Sequence, residues 1–393
     1  MAPHLRVRTA LSAVCLALVL TPSAAAQVAF GPVTDYAVEM TPVALAVADF
    51  DGDLDLDLAV ANLGSGNLSI LRGAVDGTFS AAGTVATGSN PIWVAVGDFN
   101  GDSDPDLAVA RSGVASSNVM VRLGGAGATF GAATFYDAGS NSRSLAIGDV
   151  NGDGDPDLVV ANRDSDDVSV LLGAAGGTFG APTDFAAGDS PLSLTIADLD
   201  GDGDLDLAVS DQGPGLGEAS ILLGAGNGTF GLPATLAINL PREIAAGDFN
   251  GDGDPDLALG SFFPQSVAVF LAGPGSSFGP VDSIPTIGGE AESIALGDVD
   301  GDGELDIVSV ASFAGGVSIL LGVGDGTFGF GGNFVNDRNG AAIAVGDFDG
   351  DTDLDLAFTG QDVVSVLLNS RFLHPPHRPH RLPPHHPHHP RQP

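Results

Sequence analysis

Lysine is absent from this chain; all 13 basic residues are arginines, against 50 acids, which leaves a net charge of −37. A surface without clustered cations cannot hold a phosphate backbone, so a nucleic-acid partner is excluded. Cysteine occurs once, at Cys15, which excludes an internal disulfide and any multi-thiolate metal site. The longest predominantly apolar stretch, residues 10–20, is too short to cross a bilayer, so no membrane insertion is expected. Helical periodicity is missing beyond that stretch. Yet only 16% of residues are charged and 44% are hydrophobic, which is not the composition of a disordered acidic chain. The acids must therefore be concentrated, with apolar sequence between them.

Two terminal segments differ from the rest. Residues 1–26 read as a Sec-type signal peptide: Arg6 and Arg8 precede the apolar stretch, and Ala24, Ala25 and Ala26 offer a small-residue cleavage site. Cys15 lies inside it, so the mature chain is expected to carry no thiol and to be secreted or exposed at the cell surface. Residues 371–393 contain seven histidines, many prolines, four arginines and no acid. That composition predicts an extended, disordered tail that is either dispensable or serves as a loose ligand for zinc, nickel or copper or as a contact for acidic surfaces.

Between them, residues 27–370 repeat. A segment of the form Asp-apolar-Asp/Asn-Gly-Asp-x-Asp/Glu-x-Asp-Leu/Ile begins at Asp49, Asp98, Asp149, Asp198, Asp248, Asp298 and Asp347, with successive starts 49 to 51 residues apart. In the third unit, residues 144–148 alternate as a strand, the acidic loop follows, and residues 158–161, 168–172 and 183–186 complete four short strands. Four strands in a fifty-residue period predict an all-β, seven-bladed propeller of antiparallel blades. Six units carry a Gly-rich turn and a Phe after the third strand, at Phe79, Phe130, Phe179, Phe230, Phe278 and Phe328. The seventh unit lacks this piece, and the sequence around Phe30 matches it. Residues 28–38 are therefore expected to supply the outer strand of the last blade, closing the ring and removing free sheet edges. The recurring Phe is expected to pack between blades.

Each acidic loop places oxygen side chains at positions 1, 3, 5, 7 and 9 around an invariant Gly at position 4. These are Asp49, Asp51, Asp53, Asp55 and Asp57 in loop one, and Asp98, Asn100, Asp102, Asp104 and Asp106 in loop two. Loop three holds Asp149, Asn151, Asp153, Asp155 and Asp157; loop four holds Asp198, Asp200, Asp202, Asp204 and Asp206. Loop five holds Asp248, Asn250, Asp252, Asp254 and Asp256. Loop six holds Asp298, Asp300, Asp302, Glu304 and Asp306, and loop seven Asp347, Asp349, Asp351, Asp353 and Asp355.

Thus 32 of the 50 acids lie in seven short loops. Two like charges 4 Å apart repel by about 4 kcal/mol at an effective dielectric near 20, so several pairs per loop call for a cation. Calcium accepts six to eight oxygens with loose geometry, and no His, Cys or Met ligand is present to suit zinc or copper. Up to seven calcium ions are expected. An EF-hand is excluded, since it needs Gly at position 6 and a bidentate Glu at position 12, where these loops have Val60, Val109, Val160, Val209, Leu259, Ser309 and Phe358. A nonapeptide β-roll is excluded by the period.

The motifs "DFNGDGDPDL" at 248–257, "GAGNGTFG" at 224–231 and "FGAP" at 179–182 resemble the FG-GAP/VCBS repeat family, which also forms the propeller head of integrin α subunits. The resemblance spans residues 28–369. It implies side-chain calcium ligands at positions 1, 3, 5 and 9 and a main-chain carbonyl at position 7, so that Glu304 is no obstacle. Leu54 and Thr352 stand where the family usually has Gly at position 6. Propellers of this family serve adhesion, carbohydrate binding and as enzyme accessory modules; a secreted or cell-surface protein or glycan interaction or adhesion module, monomeric and with calcium serving structure, is expected.

No enzymatic activity is expected. All eight histidines lie outside the repeats, which excludes a His-based triad there. A secreted carbohydrate-active enzyme or its binding module is the alternative. A sugar-stacking role for Trp93 with Phe262 and Phe263 competes with simple packing between blades.

Overall fold

The computed structural model describes residues 28–113, 118–213, 215, 217–279, 282–286, 289–312, 316–335 and 339–370. The signal-peptide assignment at 1–26 and the tail at 371–393 lie outside the described residues. Among these residues the regular structure is entirely β, arranged as seven four-stranded antiparallel sheets and three small two-stranded ones.

Blade one runs from its inner strand Pro42–Ala48 through Asp57–Asn62 and Asn67–Arg72 to the outer strand Ser80–Ala86. Blade three, parsed above from sequence, consists of Ser142–Gly148, Asp157–Asn162, Asp167–Leu171 and Thr183–Ala186. The inner strands of neighbouring blades touch around the whole ring, and Ile343–Gly346 of blade seven meets Pro42–Ala48 of blade one. Thr34–Ala37 pairs antiparallel with Val363–Leu367, setting Tyr36 opposite Val364. The N-terminal segment thus supplies the outer strand of the last blade, and closure is by strand pairing as the sequence indicates.

Burial explains the strand patterns. The second strand of a blade is covered on both faces by neighbouring blades, so Asp157–Asn162 is buried at every residue and reads as a continuous apolar run. The core is divided into seven clusters, each built from two adjacent blades. Between blades one and two, Phe50, Leu68 and Ile70 meet Val94, Leu107 and Met120. Between blades seven and one, Phe348 and Val364 meet Leu58 and Phe79.

The recurring Phe locks this arrangement. Phe179 of blade three stands edge-on to Phe99 in the loop of blade two, with centroids 5.4 Å apart. Phe130 meets Phe50 at 5.7 Å, Phe328 meets Phe249 at 5.5 Å, and Phe79 meets Phe348 at 5.5 Å across the closure. Edge-to-face pairs add about 0.5–1.5 kcal/mol beyond area burial. In these four contacts the aromatic docks against the acidic loop of the preceding blade; Phe230 instead meets Phe185 and Phe30 meets Phe334.

Candidate functional site

Each acidic loop joins the inner strand to the second strand of its blade, so all seven open at one end of the disc. The backbone is wound by its own aspartates. In loop one, Asp49 Oδ1 accepts the N–H groups of Gly52 and Asp53 at 2.7 and 3.2 Å, and Oδ2 accepts that of Leu54 at 2.9 Å. Asp53 in turn accepts the N–H of Asp55 at 3.0 Å. The same bonds recur in loop three from Asp149 to Gly152, Asp153 and Gly154. This tight winding requires left-handed backbone at positions 4 and 6: Gly52 has φ 80° and Leu54 has φ 76°. Ser103 and Thr352 share that strained position at 70° and 80°; Ser103 is a third departure from Gly that the reading by sequence passed over.

Four loops bring three carboxylates together with ligand oxygens within 4.8 Å of one another: Asp49, Asp51 and Asp53; Asp198, Asp200 and Asp206; Asp298, Asp300 and Asp302; and Asp347, Asp349 and Asp351. These are the four loops with Asp at position 3. In loops two and three that place is taken by Asn100 and Asn151, whose amides donate at 2.9 Å to Asp102 and Asp153. In loop five Asn250 accepts the N–H of Asp252. No position-7 side chain belongs to any of these clusters among the described residues.

Position 9 has a second task. Asp57 is fully buried; one oxygen accepts the N–H of Phe50 at 2.9 Å and the other that of Gly73 at 2.8 Å. The pattern is invariant. Asp106 holds Phe99 and Gly124, Asp157 holds Val150 and Gly173, and Asp206 holds Leu199 and Gly224. Asp256, Asp306 and Asp355 do the same for Phe249 and Ala272, Val299 and Gly322, and Phe348 and Asn369. This carboxylate ties the loop to the exit of the third strand. Glycine follows that strand in five blades because a Cβ there, as on Gly73, would collide with the carbonyl oxygen of Leu56.

Electrostatics follow from this placement. Burial pushes the Asp57 carboxyl up to about 6 and those of Asp306 and Asp355 up to about 7, against the pull of their backbone donors. Asp106, Asp157, Asp206 and Asp256 are raised for the same reason. Asp51 and Asp349 are raised by burial and then by a neighbouring aspartate, Asp53 and Asp351 respectively. Oδ1 of Asp51 is buried without a hydrogen-bond donor, and the loop's one nearby cation is Arg72, whose Nε lies 3.2 Å from Asp51 Oδ2. A set of crowded carboxylate and amide oxygens, one of them buried and orphaned, fits a hard divalent cation.

The opposite end of the disc carries a cavity of about 250 Å³ on the propeller axis. It is lined at the same place on each inner strand, apolar at Val43, Ile92, Leu192 and Ala341 but charged at Arg143, Arg242 and Glu292. Trp93 also lines it while packing against the cluster between blades two and three. Phe262 lies instead under the Arg242 guanidinium at 5.3 Å, and Phe263 stands 69% exposed, so neither shares this cavity with Trp93. Reading the repeats one at a time missed these charged side chains. Aligning them on the first loop aspartate exposes Arg143, Arg242 and Glu292 as departures from an apolar position.

The FG-GAP-like repeat family matches the chain at residues 49–109, 99–160, 149–209, 248–309 and 298–358. No curated protein sequence matches. Among solved structures, BBS1N in complex with ARL6DN, soaked with lead, aligns with a TM-score of 0.61 at 14% identity, over 87% of this chain and 96% of that one. A lectin of Agrocybe aegerita, described as specifically recognising non-reducing terminal N-acetylglucosamine, aligns with a TM-score of 0.54 at 20% identity, over 74% of this chain and 79% of that one. At such identities the likeness is one of fold.

Proposed function

The chain belongs to the FG-GAP-like repeat family, and from that premise we propose that it is a secreted or cell-surface calcium-binding propeller whose ions serve structure and whose surface binds a protein or glycan partner. The observation that carries this reading is the convergence of three carboxylates within 4.8 Å in each of four loops. Positions 1, 3, 5 and 9 would hold the ion through side chains, with the carbonyl of position 7 completing the set. A bound calcium supplies positive charge that cancels loop repulsion and links two strands of a blade, so its binding free energy adds to folding free energy. In this reading the protein binds and holds; it carries no catalytic step. FG-GAP repeats are typical of extracellular proteins, and among the described residues no helix is long and apolar enough to cross a membrane.

The test is calorimetric melting of the purified protein with calcium and with a chelator, alongside metal counting by mass spectrometry. Several bound calcium ions per chain, and a melting temperature lowered by on the order of tens of degrees on chelation, are expected from linkage summed over sites. A protein that holds no calcium and melts unchanged would sink the proposal.

A further inference from the structure

The axial cavity differs from the loops in every respect: it lies at the other end of the disc, and its charges are arginines as well as acids. Arg242 is neutralised there. Its Nη2 donates to Glu290 at 2.9 Å and its Nε lies 3.4 Å from Glu292, while its guanidinium covers Phe262. Arg143 has no such arrangement. It lines the same cavity with no hydrogen bond or ion pair to any described residue. Burial pulls its pKa down, with the charges of Arg163 and Arg242 acting in the same direction and those of Glu292 and Asp164 opposing them from beyond ion-pair distance. A guanidinium stays protonated in proteins, so its five donors face the cavity unanswered.

The wall beside it is also a departure from the repeat. Ser144, Ser193 and Ser293 each accept the N–H of the next blade's inner strand, at Leu194, Ile244 and Ile343. Glu243 does the same for Ile294 at 3.0 Å. The equivalent residues of blades one, seven and two are Ala44, Ala342 and Trp93, none of which accepts that bond, and Trp93 instead presents an aromatic wall to the cavity beside Ile92.

We propose that the axial cavity binds a small organic monocarboxylate, whose carboxylate is held by the fork of Arg143 and whose body lies against Ile92 and Trp93. A forked guanidinium matches a carboxylate through two parallel hydrogen bonds. Glu292 lines the same cavity and repels a dianion such as phosphate more than a monoanion, which favours a singly charged ligand; Glu243 adds only part of a charge, because burial raises its carboxyl to about 7. A volume of about 250 Å³ accommodates one ring, not a chain of them. The ring is either aromatic or that of a sugar acid; both present the same carboxylate.

Trp93 is the chain's only tryptophan, so fluorescence excited selectively at tryptophan, where Tyr36 and Tyr136 do not absorb, reports on this cavity. The full chain, saturated with calcium, is titrated with benzoate and with glucuronate, and in parallel with benzamide and glucose. Saturable change below about 10 mM with at least one carboxylate, and none with its neutral counterpart, is expected. The stronger of the two acids identifies the body. Arg143→Gln should weaken that acid by about tenfold or more while the melting temperature changes little, because no hydrogen bond or ion pair is lost. Equal response to acid and neutral analogue, no saturation with either acid, or unchanged affinity in a folded Arg143→Gln protein would overturn the proposal. If that variant fails to fold, the comparison of acid with neutral analogue on the unaltered chain decides.

Discussion

Oδ2 of Asp157 lies 2.9 Å from the backbone nitrogen of Val150, which donates to it from across the acidic loop, while Oδ1 takes the N–H of Gly173. The carboxylate that closes the acidic loop is therefore also the bracket of the blade. Removing it strands two backbone donors in or near the core, at about 1–3 kcal/mol each. Asp157→Ala is expected to lose about 2–5 kcal/mol in urea denaturation, and to lose it in chelator at low temperature as well as in calcium. A loss confined to calcium would mean that Asp157 acts only through the ion.

Asp200 is expected to behave oppositely. It sits with Asp198 and Asp206 in one of the converging clusters, and Asn occupies the same place in loops two, three and five. Asp200→Asn keeps the shape and removes one of several like charges. In calcium it should lower stability by about 1 kcal/mol through weaker binding; in chelator it should raise it by a similar amount through relief of repulsion. Thermal melts in the two buffers check this, and a shift of the same sign in both would contradict it.

What sequence disclosed and what it hid divide along a physical line. The period of fifty, the loops and the match of Phe30 to the hairpin Phe were legible because they repeat along the chain, and a propeller converts repetition into a ring. The strands were placed within about two residues, as at residues 144–148 against Ser142–Gly148. The bracket role of Asp57 was hidden because its partner Gly73 lies 16 residues away, in a different strand connection. The pairing of Arg72 with Asp51 was hidden for the same reason. The cavity charges depend on which inner-strand residue points to the axis. That is fixed by radial packing of all seven blades and by no local pattern.

Thr352 occupies left-handed backbone at φ 80°, where four other loops have glycine. A side chain there crowds the following carbonyl at about 1–2 kcal/mol, and β-branching makes the fit worse. Glycine recovers that strain but loosens the unfolded chain by about 0.4–1 kcal/mol. Thr352→Gly is thus expected to stabilise the calcium-loaded protein by about 1 kcal/mol, with Leu54→Gly in the same direction. Differential scanning calorimetry measures the gain; a fall in melting temperature for both variants would refute the strain assignment.

Asp211 ends the second strand of blade four, where blades one and three have Asn62 and Asn162. Those amides donate to Ser69 and Ser169 at 2.9 Å and to Asn67 and Asp167 beside them. Asp211 is buried, takes one bond from the Ser220 hydroxyl at 2.7 Å, and leaves Oδ1 without a donor. Burial raises its pKa to about 8, with Glu218 adding repulsion. Because the folded-state pKa lies above the unfolded carboxylate value, the folded state binds the proton more tightly. Its contribution to stability is complete below about pH 4 and is lost as pH rises towards about 8. Asn in its place could donate to Ser220 and to Glu218, restoring the pattern of blades one and three. The stability of Asp211→Asn relative to the unaltered protein should therefore grow between about pH 4 and 8, level off above, and change over that range by on the order of 5 kcal/mol. Urea titrations of both proteins across that range, in saturating calcium so that the loops cancel in the difference, give the curve directly. A flat difference would show that Asp211 remains ionised in the folded state at every pH tested.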